Sequence, residues 1–349
     1  MIAQNKSPQS LNEVGLDVPV LHAEKFTIRA GVMTRVASRE GSGRAILLIH
    51  GSESHSGWFQ PLTRSLVDRG WVVWTYDRNG WGDATGNRGC LHNAEEALSG
   101  LSEAVAFCNT RDHMERLLGM SWGGLLVSAW AARNRASEPA VTLVVPGIHL
   151  QPRIKLRAVM NLIVSGLTAL LSASPWRIKL PLETRDFSEV PGTCQWINAD
   201  TKRITHVSAG FFLATAQLQR IVRKMSGQID QVLLAGRDQI TANSETRRFF
   251  ADRGVRDVDE RPEAAHAVIL EQLPWIADKI QSPGQRSQVP VVRSKIRLFD
   301  RLEMSESEVP FWIPFKHAAA ERTKAHSIQL RLFKGKKLIS CGEVLPREY

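Results

Sequence analysis

From Ala45 to about residue 147 the chain alternates short apolar runs with longer amphipathic stretches, and this rhythm constrains the fold most. "AILLIH" (Ala45 to His50) stays apolar until its last residue, as a strand buried on both faces must. "GWFQPLTRSLVDRG" then reads as a helix closed by Gly70, and "WVVWTYD" as the next strand, ending at Asp77. "NAEEALSGLSEAVAFCN" is helical, "ERLLGM" (Glu115 to Met120) is a strand, "WGGLLVSAWAARN" a helix and "VTLVVPG" a further strand. Strands separated by whole helices are not hairpin partners. The expected fold class is therefore α/β: a mostly parallel sheet flanked by helices, with the carboxyl ends of its strands gathered on one edge.

At Ile148 the rhythm breaks. A mainly helical insertion is expected over residues 148–213, and it contains "LRAVMNLIVSGLTALLSAS". Arg157, Asn161, Ser165 and Thr168 interrupt this apolar stretch, which falls short of the roughly 20 clean apolar residues of a membrane span. It reads as a lid or packed helix whose apolar face suits contact with a lipid surface. The alternation resumes at "QVLLAG" (Gln231 to Gly236), continues through "SETRRFFADRG" and "VRDVDE", and closes with a helix from near Ile269 to about Ile280. "QSPGQRSQVP" has linker composition. Residues 1–283 are thus expected to form one domain, and 284–349 a linker with a small β-rich extension.

Composition narrows the function classes. The chain has 349 residues, 43% of them hydrophobic, enough to bury a sizeable core. Its net charge of +10 is concentrated late: from Arg286 onward 13 Lys and Arg face 7 Asp and Glu, a net of +6. The body has no dense basic run with interleaved aromatics, so no nucleic-acid partner is expected. Cys90, Cys108, Cys194 and Cys341 are scattered without a C-x-x-C pair, which argues against a disulfide scaffold or zinc site and suits a reducing compartment. The opening "MIAQNKSPQSLNEVGLDVPVL" has no apolar core of a secretory signal, and a cytoplasmic location is expected.

The chemistry centres on "LLGMSWGGLL", which places Gly119, Ser121 and Gly123 as G-x-S-x-G between a strand and a helix. That context is a nucleophile elbow: a serine on a sharp turn, with glycines where a Cβ would crowd it. A serine hydroxyl needs a base. Among ten histidines, His266 in "RPEAAHAVILE" lies between the last strand and the last helix, on the edge that Ser121 shares. His50, ahead of Gly51 at a strand end, suits an oxyanion loop better than a base. Asp238 in "VLLAGRDQIT" follows the penultimate strand on the same edge, whereas Asp230 precedes that strand and belongs at the other end. Asp238 is therefore the carboxylate expected to orient His266. The backbone N–H groups of Ser52 and Trp122 are the expected oxyanion donors, the second at a helix N-terminus. A structural serine in a plain strand–turn–helix is the bland alternative.

The stretch "LLIHGSESHSGWFQPLTRSLVDRGWVVWTYDRNGWGDATGNRG" resembles the monoacylglycerol lipase and lysophospholipase-like (serine aminopeptidase S33-type) branch of the α/β-hydrolases. "LLGMSWGGLL", "LLAGRDQI" and "AAHAVILE" match that branch's remaining motifs, over residues 25–280. Asn79 and Asp83–Ala84 depart from its D-x-R-G-x-G-x-S-x-G pattern. The resemblance implies an inserted cap over the site and a serine hydrolase acting on a small-molecule acyl ester such as a monoacylglycerol or lysophospholipid, without a cofactor or metal. Two alternatives stand: a lyase using the same three side chains, and a non-catalytic binding protein on the scaffold. The substrate's acyl chain and the oligomeric state are left open. The tail resembles the start of an enolase-superfamily, muconate-lactonising-type capping domain, with Arg322, Ser327, Gly342, Glu343, Pro346, Arg347 and Tyr349 in corresponding places. No metal ligand is carried over from it.

Overall fold

A computed structural model describes residues 21–38, 41–134, 139–171, 177–225, 229–280, 318–322, 328–334 and 337–344. Two compact units divide the chain, residues 1–286 and 287–349.

The first unit is built on an eight-stranded sheet. Its members are β1 (His22–Ile28), β2 (Gly31–Ala37), β3 (Arg44–Ile49), β4 (Val72–Arg78), β5 (His113–Met120), β6 (Ala140–Val144), β9 (Gln231–Ala235) and β10 (Asp257–Arg261). Their spatial order is β1-β2-β4-β3-β5-β6-β9-β10. β1, β2 and β4 pair antiparallel, and all pairings from β4 to β10 are parallel. The edge strand β10 carries the sheet's most charged sequence, DVDER.

Each central strand feeds two cores. In β3, Ala45, Leu47 and Ile49 join one apolar cluster while Ile46 and Leu48 join the other. Leu117 and Leu118 on β5, Leu143 and Val144 on β6, and Leu234 and Leu233 on β9 split in the same way. The period-2 pleat sends neighbours to opposite faces, so an unbroken apolar run is what helices on both faces require.

One face is covered by α2 (Ala94–Asn109), α3 (Trp122–Arg133) and α7 (Ala209–Arg223), the other by α1 (Gln60–Val67), α9 (Val268–Glu271) and α10 (Leu273–Lys279). α8 (Asn243–Ala251) links β9 to β10. α2 starts where the Asn93 side chain accepts from Glu96 N–H, with Glu95 and Glu96 in the first turn. A single 3-10 turn, Ser56–Phe59, precedes α1, and Gly70 after it has φ 87°.

Between β6 and α7 lie α4 (Pro152–Leu171), β7 (Arg177–Lys179), α5 (Thr184–Phe187), α6 (Pro191–Ala199) and β8 (His206–Ser208). β7 and β8 pair antiparallel, so this stretch is not wholly helical. From Ala209 the chain is already α7, which packs on α3 and α2 with Phe211, Ala214 and Leu218 buried in the core. The departure from the strand–helix rhythm therefore ends at Ser208.

In the second unit, β11 (Ala318–Arg322), β12 (Ile328–Lys334) and β13 (Lys337–Val344) form an antiparallel three-stranded sheet. Arg322 lies on β11, and Gly342 and Glu343 on β13. Ser327, Pro346, Arg347, Tyr349 and the linker "QSPGQRSQVP" fall outside the described residues.

Candidate active site

Ser121 follows β5 and precedes α3, with φ 54° and ψ −121°. A left-handed φ at a non-glycine residue is uncommon and costs about 1–3 kcal/mol, so neighbours must hold it. Ser121 N–H donates to Val144 O (3.0 Å), while Ser121 O accepts from Gly147 N–H (2.8 Å) and Gly124 N–H (2.9 Å). The turn fits only without side chains around it. A Cβ on Gly119 would sit 2.6 Å from Gly123 O, and one on Gly123 would sit 2.3 Å from Ile49 O.

Three side chains distant in sequence meet here. His266 Nε2 lies 3.0 Å from Ser121 Oγ, and His266 Nδ1 lies 2.8 Å from Asp238 Oδ2. A carboxylate only accepts, so Nδ1 carries the ring proton and Nε2 is left to accept from the serine hydroxyl. Asp238 is itself anchored: Oδ1 accepts from Ile240 N–H (2.7 Å) and Thr241 N–H (2.8 Å), and Oδ2 from Thr241 Oγ1 (2.6 Å). His266 and the Asp238 carboxylate are buried, Ser121 nearly so. Phe187 of α5 meets the imidazole edge-on with ring centroids 5.7 Å apart, and its carbonyl accepts from Ala267 N–H (2.7 Å). The segment between β6 and α7 thereby holds the loop that carries His266. Asp230 lies at the other end of β9, accepting from Val141 N–H (2.7 Å).

The loop after β3 comes against Ser121. A Cβ on Gly51 would stand 3.3 Å from Ser121 Cβ and 3.7 Å from Oγ. Among the described residues, neither Ser52 N–H nor Trp122 N–H donates to a protein acceptor. The loop is pinned from behind. Gly51 N–H donates to Ser54 Oγ (2.9 Å), and Trp81 Nε1 donates to Ser52 O (2.7 Å). His50 Nδ1 donates to Gly51 O (2.9 Å), and burial beside Arg78 holds this imidazole neutral, well below the ordinary histidine range. Among the described residues, the His50 ring hydrogen-bonds to Gly51 and Arg78 and not to Ser121, His266 or Asp238.

Buried polar pairs around the chain that follows this loop had no sequence motif to announce them. Glu53 pairs through Oε2 with Arg203 (2.6 Å to Nη2, 2.7 Å to Nε), and Ile204 N–H donates to Glu53 O. Burial pushes the Glu53 carboxyl up to about 7 against the pull of Arg203. Asp200 accepts from His55 Nε2 (3.1 Å) and Trp58 Nε1 (2.7 Å). Thr241, three residues after Asp238, is the one with a readable signal, since Asp and Thr at that spacing close a local turn.

A sheet of this order, a serine on the turn after its fifth strand, and an acid and a histidine after its last two strands define an α/β-hydrolase fold. The chain belongs to the family described as serine aminopeptidase, S33, whose sequence model matches residues 42–272. It is 26% identical over 260 residues to an uncharacterized abhydrolase domain-containing protein of Dictyostelium discoideum, covering 69% of this chain. The chain spans about a quarter (27%) of that relative's length. Two solved structures share the fold. The monoacylglycerol lipase of Paleococcus ferrophilus has a TM-score of 0.58 and 22% identity, covering 75% of this chain and 96% of its own. A soluble variant of the Saccharomyces cerevisiae monoglyceride lipase, in complex with a substrate analog, has a TM-score of 0.58 and 16% identity, covering 79% and 98%.

Proposed function

We propose that the protein is a serine hydrolase that cleaves carboxylic esters through an acyl-enzyme on Ser121. The observation that carries this reading is the hydrogen-bonded run from Asp238 through His266 to Ser121, ending beside two undonated amides. Ser121 Oγ attacks the ester carbonyl as His266 Nε2 takes its proton. Asp238 keeps the proton on Nδ1 and stabilises the imidazolium. The Ser52 and Trp122 amides receive the tetrahedral oxyanion, each typically worth about 3 kcal/mol of barrier. His266 then protonates the leaving alcohol and activates the water that releases the acid. No step draws on a cofactor.

A fatty-acyl monoester, such as a monoacylglycerol, is the proposed substrate class. The two monoacylglycerol lipases above support it, as does the segment between β6 and α7, which serves as a cap. Leu156, Val159, Met160 and Ile163 form an exposed apolar row on α4, consistent with substrates held in lipid aggregates.

Ser121→Ala is expected to abolish turnover of p-nitrophenyl esters and labelling by a fluorophosphonate probe, at an unchanged melting temperature. A wild-type protein that never labels would remove the nucleophile assignment. Turnover of aminoacyl p-nitroanilides in preference to esters would remove the ester assignment.

A further inference from the structure

Directly behind the loop that faces Ser121 lies a buried cation without an anion. Arg78, the last residue of β4, is 5% exposed, and among the described residues it makes no ion pair. The neighbouring carboxylate of Asp77 is engaged elsewhere, accepting from Ser56 N–H (2.7 Å), Ser56 Oγ (2.8 Å) and Asp83 N–H (3.0 Å). Instead, the guanidinium stands 4.1 Å from the Trp81 ring centroid and 4.5 Å from that of Trp122. Its Nη2 donates to Gly51 O (2.8 Å), the carbonyl that also accepts from His50.

That carbonyl and the Ser52 N–H belong to one planar peptide unit, and in a trans peptide the two bonds point in opposite directions. Donors fixed on the carbonyl side therefore fix where the N–H points. The next carbonyl, Ser52 O, is held by Trp81, whose indole also stacks on the guanidinium. A charged donor on C=O further polarises the peptide and makes its N–H a stronger donor. A charge unneutralised in the resting site is also best placed to act on the negative charge that appears only during reaction.

We propose that Arg78 is a positioning residue of the oxyanion site: it clamps and polarises the Gly51–Ser52 peptide, aiming the Ser52 amide at the developing oxyanion. The inference rests on the serine-hydrolase reading above. The rival role for Arg78 is to fill space in the core. That role is separable, because replacing a buried charge by an apolar side chain of similar length is often neutral or stabilising. A clamp lost this way damages catalysis without damaging the fold.

The test compares wild type, Arg78→Met and Arg78→Lys on p-nitrophenyl butyrate, with fluorophosphonate labelling, thermal unfolding and inhibition by an alkyl boronic acid. Arg78→Met is expected to lower kcat by about 10- to 100-fold, somewhat less than deletion of an oxyanion donor, with KM within about threefold. Its melting temperature stays level or rises, and boronic acid binding weakens by the same factor as kcat. Arg78→Lys regains part of the lost kcat near about pH 6.5 and loses it toward about pH 9, because a buried ammonium surrenders its proton as pH rises. Burial already brings Arg78 down to about 9. Wild-type kcat in a folded Arg78→Met protein overturns the proposal. So does a loss of activity that tracks a fall in melting temperature and is not relieved by lysine. A wild type that neither labels nor turns over the ester overturns the hydrolase reading, and this inference with it.

Discussion

The left-handed φ of Ser121 is shared by one other non-glycine among the described residues, Val145, at φ 41°. The two are neighbours across the sheet: Ser121 N–H donates to Val144 O, and Gly147 N–H returns a bond to Ser121 O. Strain on a β-branched residue beside strain on the proposed nucleophile is a local cost that the two cores on either side sustain. Glu53 adds a second cost, of an electrostatic kind. Its Oε1 is buried with no hydrogen-bond partner among the described residues, and its carboxyl is raised from 4.5 to about 7. As pH rises through that window the unfolded chain releases the proton while the folded chain retains it, so stability falls with rising pH. Urea unfolding of Glu53→Gln and wild type should show this directly. The wild type loses stability relative to the variant between about pH 4.5 and about pH 7, and no divergence across that window would refute the assignment.

At the scale of elements, α4 stands out because a helix in a folded domain rarely shows solvent so continuous an apolar row. Leu156, Val159, Met160 and Ile163 are all more than half exposed, at helical spacing on one side. No helix among the described residues is long and apolar enough to cross a membrane. Replacing Leu156, Met160 and Ile163 together by serine should leave hydrolysis of soluble short-chain esters within about twofold. Turnover of long-chain esters presented in micelles should fall several-fold. Equal loss on both substrates would count against a surface role for the row. The central strands were readable in the sequence because parallel strands covered on both faces are apolar throughout. The hairpin of β1 and β2 was not: Arg35 points inward from β2 and binds Asp112 at 2.8 Å, placing a charge where the pattern demands an apolar residue. β7 and β8, three residues each, are too short to show any period. Ser121, Asp238 and His266 could be placed because strand ends are visible. Arg78 could not, since an arginine in a loop motif reads as solvent-facing until its surroundings are known.

On the scale of the molecule, the two apolar clusters that sandwich the large sheet, as far as the described residues go, belong to the unit ending at Arg286. A chain cut after Arg286 is expected to keep the melting temperature of that unit and its ester turnover within about twofold. Loss of either would show that the three-stranded unit supports the larger one. The acidic outer strand β10 has a further effect. Its sequence DVDER sets three acids against one arginine along the sheet's open margin. Asp259 is paired there with Lys279 and Glu260 with Arg247, so a second copy arriving edge-on would have to displace charged side chains that already hold partners, which disfavours ribbon-like polymerisation along this border.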